Sequence, residues 1–229
     1  MNMETSHETE LLVSTVRRFV EAEMFPHEEE VDRLGHVPDE IGRQIETKAH
    51  ELGLFACNLP EEVGGGGLGY GPMSLIEREY GKTSHALQSW AARPTELLMA
   101  CEGDQRAQYL FPAVRGEKRE LFALTEPDAG SDVMGMKTNA RRDGDDWILN
   151  GTKRWITNGS VSDVCTVWAK DGDVVKGFLV EKGTPGFSTP DINGKFSLRA
   201  SVTSELIMED VRIPDANRLP EAQGMSGPF

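Results

Sequence analysis

The stretch Ala123-Leu-Thr-Glu-Pro-Asp-Ala-Gly-Ser-Asp132 marks the point at which the chain changes from one kind of secondary structure to another. It closes a predicted strand and then turns sharply, because Pro127 fixes one backbone angle and Gly130 permits others. Exposed N–H groups, together with the hydroxyls of Thr125 and Ser131, suit a polar ring edge or a phosphate. Composition alone favours an ordinary loop with capping Ser and Asp residues.

The residues before this stretch predict helices, since their apolar side chains recur at helical spacing. Five helical segments are expected: one ending at Pro26, one from Pro38 to about Gly53, one around Met73–Tyr80, one over Leu87–Ala100 interrupted by Pro94, and one over Asp104–Val114.

The residues after it predict strands. The pairs Asp143-Gly144, Asn150-Gly151 and Asp171-Gly172 are tight-turn signals between β-rich runs. The expected strands include Trp147–Leu149, Val164–Trp168, Val174–Val180, Glu205–Met208 and a possible continuation over Val211–Pro214. The predicted fold class is therefore α+β, with a helical domain followed by an antiparallel β-barrel or sandwich.

A glycine-rich segment, Val63–Tyr70, satisfies the pattern G-x-G-x-x-G. A dinucleotide phosphate loop needs a strand before it and a parallel sheet around it. Here helices flank the segment, and Pro60-Glu61-Glu62 brings negative charge to the place of a pyrophosphate. We therefore interpret it as a flexible turn between helices.

Composition narrows the possible classes of protein. The formal net charge of −14 argues against a binder of nucleic acid or of anionic membranes, since both need a basic face. Three scattered cysteines, Cys57, Cys101 and Cys165, predict neither a disulfide framework nor a metal site, but small buried side chains in a reducing compartment. No signal peptide or membrane-spanning run is found, so we expect a soluble, cytoplasmic protein.

A second stretch, Asn150-Gly-Thr-Lys-Arg-Trp-Ile-Thr-Asn-Gly159, lies in the β-rich half. Trp155 and Thr157 are two residues apart, so on a strand both point to the same face. A Trp beside a Thr hydroxyl there can cover an aromatic cofactor while the hydroxyl donates to a ring nitrogen. A core Trp with an exposed Thr is the alternative that composition favours.

Taken together, these stretches resemble a known family. The first resembles the signature of the acyl-CoA dehydrogenases, and the second resembles the flavin-contact strand that accompanies it, in the same order and spacing. Segments at Leu54–Glu62, Gly186-Phe187 and Glu209–Pro214 also resemble the family, so the similarity covers essentially the whole chain.

The resemblance implies a helical N-terminal domain, a middle β-domain and a C-terminal four-helix domain. We expect residues 1–118 to form the first, 119–220 the second, and 221–229 the start of a linker. The four-helix domain, which supplies the catalytic Glu in the family, has no counterpart in the sequence. We therefore expect a truncated member with no catalytic residue of its own. A non-catalytic flavin- or acyl-CoA-binding subunit that requires a partner chain is the alternative.

The resemblance also implies the site and its chemistry. The expected cofactor is FAD, and the expected substrate is an acyl-CoA that undergoes α,β-dehydrogenation. The expected electron acceptor is an electron-transfer flavoprotein. The full-length enzyme is expected to be a homo-oligomer. In the family, Leu124 main-chain atoms and the Thr125 side chain would meet the pyrimidine edge, Trp155 and Thr157 the isoalloxazine ring, and Ser131 the acyl-CoA. The full set of expected cofactor-binding residues is Phe122, Leu124, Thr125, Gly130, Trp155, Ile156 and Thr157.

The resemblance says less about which acyl-CoA is the substrate. Lys195-Phe-Ser-Leu-Arg-Ala-Ser201 resembles the glutaryl-CoA dehydrogenase branch. That branch holds the distal carboxylate with an Arg where this chain has Ser84 or a neighbour, and Arg93 lies too far along the chain to replace it. The resemblance therefore does not carry glutaryl specificity to this sequence.

Overall fold

In the computed structural model, which describes residues 6–91 and 93–224, helices come first along the chain and strands follow. The α-helices are α1 (His7–Glu23), α2 (Glu28–Leu34), α3 (Asp39–Glu51), α4 (Tyr70–Tyr80), α5 (His85–Gln88) and α6 (Phe111–Val114). The strands are β1 (Glu120–Ala123), β2 (Asn139–Asp143), β3 (Asp146–Thr157), β4 (Val164–Asp171), β5 (Val174–Glu181), β6 (Phe187–Ser188), β7 (Thr203–Pro214) and β8 (Arg218–Gln223). The predicted α+β class is confirmed.

The chain divides into two compact units. The first runs to Pro94 and includes Lys195–Ser201, and the second comprises Thr95–Gly194 and continues from Val202. Of the predicted linker 221–229, residues 225–229 lie outside the described part of the chain.

In the first unit, α1 and α4 are joined through a buried carboxylate. Glu79 on α4 is 1% exposed and accepts hydrogen bonds from Arg17 Nε at 3.0 Å and from Lys82 Nζ at 2.5 Å. These two partners hold the pKa of Glu79 down, at about 2.

On α1, the apolar stripe Val16, Phe19 and Val20 is buried, as its spacing predicted.

The predicted helix over Leu87–Ala100 is wrong. The α-helix there ends at Gln88, and a separate 3₁₀ turn covers Glu96–Ala100; Ala92 lies outside the described residues. Pro94 lies between these two elements and disfavours helical backbone at Arg93, so one helix cannot run through to Ala100. The helix predicted over Asp104–Val114 is present, but Arg106–Leu110 forms π-type turns before α6. Pro112 has no N–H to donate, which removes one α-type hydrogen bond there.

The sheet of the second unit is mixed, not antiparallel as predicted. Its strand order is β6-β7-β3-β2-β4-β5-β8, and β1 pairs with β4. The β1–β4 and β2–β4 pairings are parallel, and the others are antiparallel. Among the described residues no pairing joins β6 to β8, so the sheet does not close into a barrel. One apolar core lies on this sheet, formed by Leu121, Ala123, Ala140, Trp147, Leu149, Ile156, Cys165, Val167, Ala169, Phe178, Val180, Leu206, Met208, Val211 and Ile213.

Two of the predicted Asx-Gly turn pairs behave differently. Asp143-Gly144 turns between β2 and β3 as predicted, with φ of 64° at Gly144. Asn150-Gly151 is not a turn but lies inside β3, at a shift in its register with β7. The Asn150 side chain takes part in that irregularity, since it donates to Asp210 Oδ1 at 3.0 Å and accepts from Asp210 N at 2.9 Å.

Within residues 6–62 no strand precedes the glycine-rich segment, which agrees with the rejection of a dinucleotide loop. Backbone hydrogen bonds join the segment to residues 56–59. Gly66 N donates to Ala56 O at 3.2 Å and Gly67 N to Leu59 O at 2.8 Å. A Cβ added at Gly65 would come within 2.1 Å of Leu59 O. Glycines are needed here because the loop packs against backbone.

Candidate functional site

The site is built first from the end of β1. Leu121 and Ala123 are buried in the sheet core, and Phe122 between them is 37% exposed. Alternation along the strand therefore points Phe122 away from that core. On its own side, Phe122 lies edge-to-face with Trp168, with ring centroids 6.5 Å apart. Leu124, the next residue after the strand, is buried.

The turn after β1 is attached to β3 through carbonyl groups. Leu124 O accepts a hydrogen bond from Lys153 Nζ at 3.0 Å. Thr125 O accepts one from Arg154 N at 2.8 Å. Two adjacent residues of the turn are thus bound to two adjacent residues of the strand.

A buried ion pair lies beneath this turn. Lys153 Nζ is 2.7 Å from Glu126 Oε1, and the two side chains are 0% and 5% exposed. Glu126 also accepts from Lys137 N at 2.6 Å and from Thr138 N at 3.0 Å. Burial acts to raise the pKa of Glu126, but hydrogen bonds from Lys153, Thr138 and Lys137 outweigh it and the pKa lies below the ordinary value. Burial lowers the pKa of Lys153, against the opposing effect of Glu126.

The loop that follows is exposed at its tip. Gly130 and Ser131 are both exposed, which leaves the Ser131 hydroxyl open to solvent. Asp132 closes the next turn, its Oδ1 accepting from Gly135 N at 3.2 Å. Gly130 is not in the left-handed region, and an added Cβ would meet nothing within 4 Å. Gly130 therefore does not use the left-handed backbone conformation that a glycine permits.

Strand β3 carries the other part of the site on a bulge. Register with β7 shifts between Lys153 and Ile156, and Trp155 within the shift has φ of 62°. Trp155 is 55% exposed, Thr157 is exposed, and Ile156 between them is 4% exposed within the sheet core. Trp155 and Thr157 are thus both exposed, while the Ile156 side chain lies in the core. The guanidinium of Arg154 lies 4.9 Å from the centre of a Trp155 ring.

This arrangement has the elements of a site for a flat polar ring. An exposed indole and an exposed hydroxyl stand on one strand, and a turn tied to that strand offers main-chain N–H groups and the Thr125 hydroxyl. Large aromatic side chains are more often buried than exposed, so an indole presented on a strained bulge indicates a contact surface.

Sequence reasoning missed the role of Lys153. A lysine within a strand is ordinarily solvent-exposed, and this one is fully buried. Glu126 gave no separate signal either, because acidic residues are common in loops. The pairing of one charge in the turn with one in the strand is visible only after the two segments are brought together.

The described part of the chain contains neither a metal site nor a membrane-spanning helix. The three cysteines are buried and free, as predicted. No group of three or more His, Cys, Asp or Glu side chains within residues 6–91 and 93–224 is arranged to hold a metal ion. None of the helices found there is long and apolar enough to cross a membrane.

Comparison with known proteins finds matches to the same family in both halves of the chain. Residues 6–117 match the family description "Acyl-CoA dehydrogenase, N-terminal domain", and residues 121–211 match "Acyl-CoA dehydrogenase, middle domain". Mitochondrial isovaleryl-CoA dehydrogenase of Pongo abelii is 36% identical over 226 residues, which cover 93% of this chain and 53% of that protein. Mitochondrial short-chain specific acyl-CoA dehydrogenase of Mus musculus is 35% identical over 222 residues, with the same two coverages.

Solved structures agree in fold. A glutaryl-CoA dehydrogenase from Mycobacterium smegmatis, in complex with FADH2, superposes with a TM-score of 0.86 at 36% identity, covering 98% of this chain and 58% of that one. The chain thus spans between half and three-fifths of the length of these relatives. On the two family matches and these relatives, the chain belongs to the acyl-CoA dehydrogenase family.

Proposed function

We propose that this chain binds FAD and presents it to an acyl-CoA thioester for α,β-dehydrogenation. The observation that carries the proposal is the exposed indole of Trp155, held at a φ of 62° on the β3 bulge, next to the turn that β3 anchors. The glutaryl-CoA dehydrogenase that superposes on the chain was solved with FADH2. We further propose the division into a helical domain over residues 1–118 and a middle domain over 119–220.

The proposed contacts combine exposed side chains with main-chain groups of the turn after β1. Trp155 covers the flavin ring, and the hydroxyl of Thr157 donates a hydrogen bond to a ring nitrogen. Main-chain atoms of Leu124 and the hydroxyl of Thr125 bind the pyrimidine edge. Phe122 lies against the ring and the thioester, and the exposed Ser131 contacts the acyl-CoA.

The bound flavin would supply the redox chemistry, taking up the β-hydrogen of the substrate. The chain's own residues bind and orient the ring, and their N–H and O–H donors at the pyrimidine edge stabilise negative charge that develops there. We assign no catalytic base to the described residues. An electron-transfer flavoprotein is the proposed electron acceptor.

Substrate class is proposed only as acyl-CoA. At the position where the glutaryl branch has an Arg, this chain has Ser84 or a neighbour, and the Ser84 N–H is bound to Glu28 Oε1 at 3.1 Å. A carboxylate beside this position disfavours a second carboxylate from a substrate. We therefore propose a substrate without a distal carboxylate.

The test is a visible absorption spectrum of the purified chain, recorded after gel filtration with FAD and again after anaerobic addition of an acyl-CoA. Retained flavin absorption supports the proposal, and bleaching by acyl-CoA supports dehydrogenation by this chain or its assembly. Retained flavin that never bleaches is the outcome expected both for a truncated enzyme that lacks its catalytic base and for a non-catalytic binding subunit. A colourless protein contradicts the proposal.

A pair of variants makes the test specific to the site. W155A should lose flavin, because it removes the ring that covers the cofactor. Y70A removes another exposed aromatic, 81% exposed at the start of α4, and should retain flavin as the wild type does. Equal retention by both variants would contradict the role given to Trp155.

A further inference from the structure

The buried pair Glu126–Lys153 does more than satisfy its own charges. Taking two charges out of water is costly, and a well-packed apolar pair of similar size is often as stable or more so. The stability of the sheet therefore gives no reason for an ion pair at this position. Its hydrogen bonds give a reason, since they go to the turn after β1 and to the two residues, Lys137 and Thr138, that follow the 127–136 loop.

The first set of bonds fixes the direction of one peptide group. Lys153 Nζ holds Leu124 O at 3.0 Å, and the peptide plane places the N–H of Thr125 opposite to that carbonyl. Lys153 is fully buried, so the Thr125 N–H points away from the buried ammonium. The neighbouring carbonyl, Thr125 O, is held by Arg154 N at 2.8 Å, so the two peptide groups cannot rotate together.

The second set of hydrogen bonds joins the two ends of the loop. The Glu126 carboxylate accepts from Lys137 N at 2.6 Å and Thr138 N at 3.0 Å, which joins the two ends of the segment that carries Ser131. Glu126 N itself donates to Ala129 O at 2.9 Å. One carboxylate thus sets both the turn and the loop.

We propose that Glu126 and Lys153 are positioning residues that hold the Thr125 N–H and the 127–136 loop in the orientation that receives flavin and acyl-CoA. This inference rests on the proposed function. Neither side chain touches the ligands, since both are buried beneath the turn. They act by removing the freedom of the turn before the ligand arrives, which lowers the entropic cost of binding.

The experiment uses the double variant E126Q/K153M. Single variants leave one buried charge without its partner and destabilise the chain, whereas the double variant removes both charges. The matched control is K176M, which breaks the Lys176–Asp171 pair in the same sheet, at 2.5 Å, away from this turn. Two quantities are measured for each: the dissociation constant for FAD, and amide exchange at Arg154 in the flavin-free chain.

We expect the double variant to weaken FAD binding by about tenfold or more, the scale on which supporting groups act at metal sites. Exchange at the Arg154 amide should quicken, with no change at Cys165 in the sheet core. K176M should leave both quantities unchanged. An unchanged dissociation constant and unchanged Arg154 exchange in a folded double variant would overturn the inference.

The two proposals fail in different ways. A wild-type chain that binds no FAD contradicts the proposed function, and with it the flavin part of the inference. The Arg154 amide, read without flavin, still decides whether the pair holds the turn. Weak FAD binding in both E126Q/K153M and K176M would show a general loss of packing and would also overturn the inference.

Discussion

At the residue scale, Trp155 combines an exposed ring with a backbone conformation that disfavours any side chain. Its φ of 62° costs about 1 kcal/mol for a residue with a Cβ, and glycine avoids that cost. We expect W155G to be about 1 kcal/mol more stable than W155A in the flavin-free chain, as measured by urea unfolding. Both variants lack the indole, so they should bind FAD equally poorly. Equal stability of the two would show that the bulge relaxes when the ring is removed.

A second prediction at the residue scale concerns the buried carboxylate of Glu120. Its Oε1 accepts from Thr95 N at 2.6 Å, while its buried Oε2 has no partner among the described residues. Burial raises the pKa of Glu120 from 4.5 to about 7, against the opposing effect of the Thr95 N–H. The folded chain therefore binds the proton more tightly than the unfolded chain, and stability falls as pH rises from 4.5 through about 7.

We expect E120Q to be more stable than the wild type by about 1–2 kcal/mol near pH 8, with the gain absent near pH 4. The measurement is urea unfolding at both pH values. E117Q is the control, since Glu117 is exposed and paired with Arg115 at 2.7 Å, an ion pair that contributes little. A gain for E120Q that did not depend on pH would contradict the assignment of the penalty to ionisation.

At the scale of elements, β3 depends on Gly151 for its close approach to the residue before β2. Gly151 has φ of 144°, and an added Cβ would lie 2.6 Å from Thr138 Oγ1 and 2.7 Å from Thr138 Cα. Thr138 cannot move freely, because its N–H is bound to Glu126. We expect G151A to destabilise the chain by about 2–3 kcal/mol in urea unfolding.

G144A is the matched control for that variant. Gly144 also has positive φ, 64°, but an added Cβ there meets nothing within 4 Å. Its cost should be limited to backbone strain, about 1 kcal/mol. A loss for G144A as large as that for G151A would show that conformation, and not contact with Thr138, sets the cost.

The same two glycines show how far elements could be predicted from sequence. Asp143-Gly144 and Asn150-Gly151 are equivalent signals for a tight turn, yet only the first forms one. The second lies within a long strand because Asn150 bonds across to Asp210 and β7 continues beside it. Local propensity cannot distinguish the two, since the partner strand lies 60 residues away. Helices with strong apolar stripes, such as α1, were predictable for the opposite reason, because their signal is local.

For the candidate site, the exposed residues were predictable from the sequence, but the buried residues that hold them in place were not. The same parity of Trp155 and Thr157 is predicted from strand geometry, and both residues are exposed in the structure. The burial of Lys153 depends on Glu126, which lies 27 residues earlier. A positive charge can be buried only where its partner meets it, and the sequence does not indicate where that is.

At the scale of the whole molecule, the net charge of −14 opposes the approach of FAD and acyl-CoA, which are themselves anions. Charges separated by more than about 10 Å are largely screened at 0.1 M salt, so this repulsion weakens as salt is added. We therefore expect the association rate of FAD to rise severalfold between about 0.02 and 0.2 M salt, as measured by stopped-flow quenching of flavin fluorescence. Lumiflavin, which carries the ring without phosphates, should associate at a rate that does not depend on salt. A rate for FAD that falls with salt would instead show that local positive groups, such as Arg154 beside Trp155, outweigh the charge of the chain and steer the cofactor to its site.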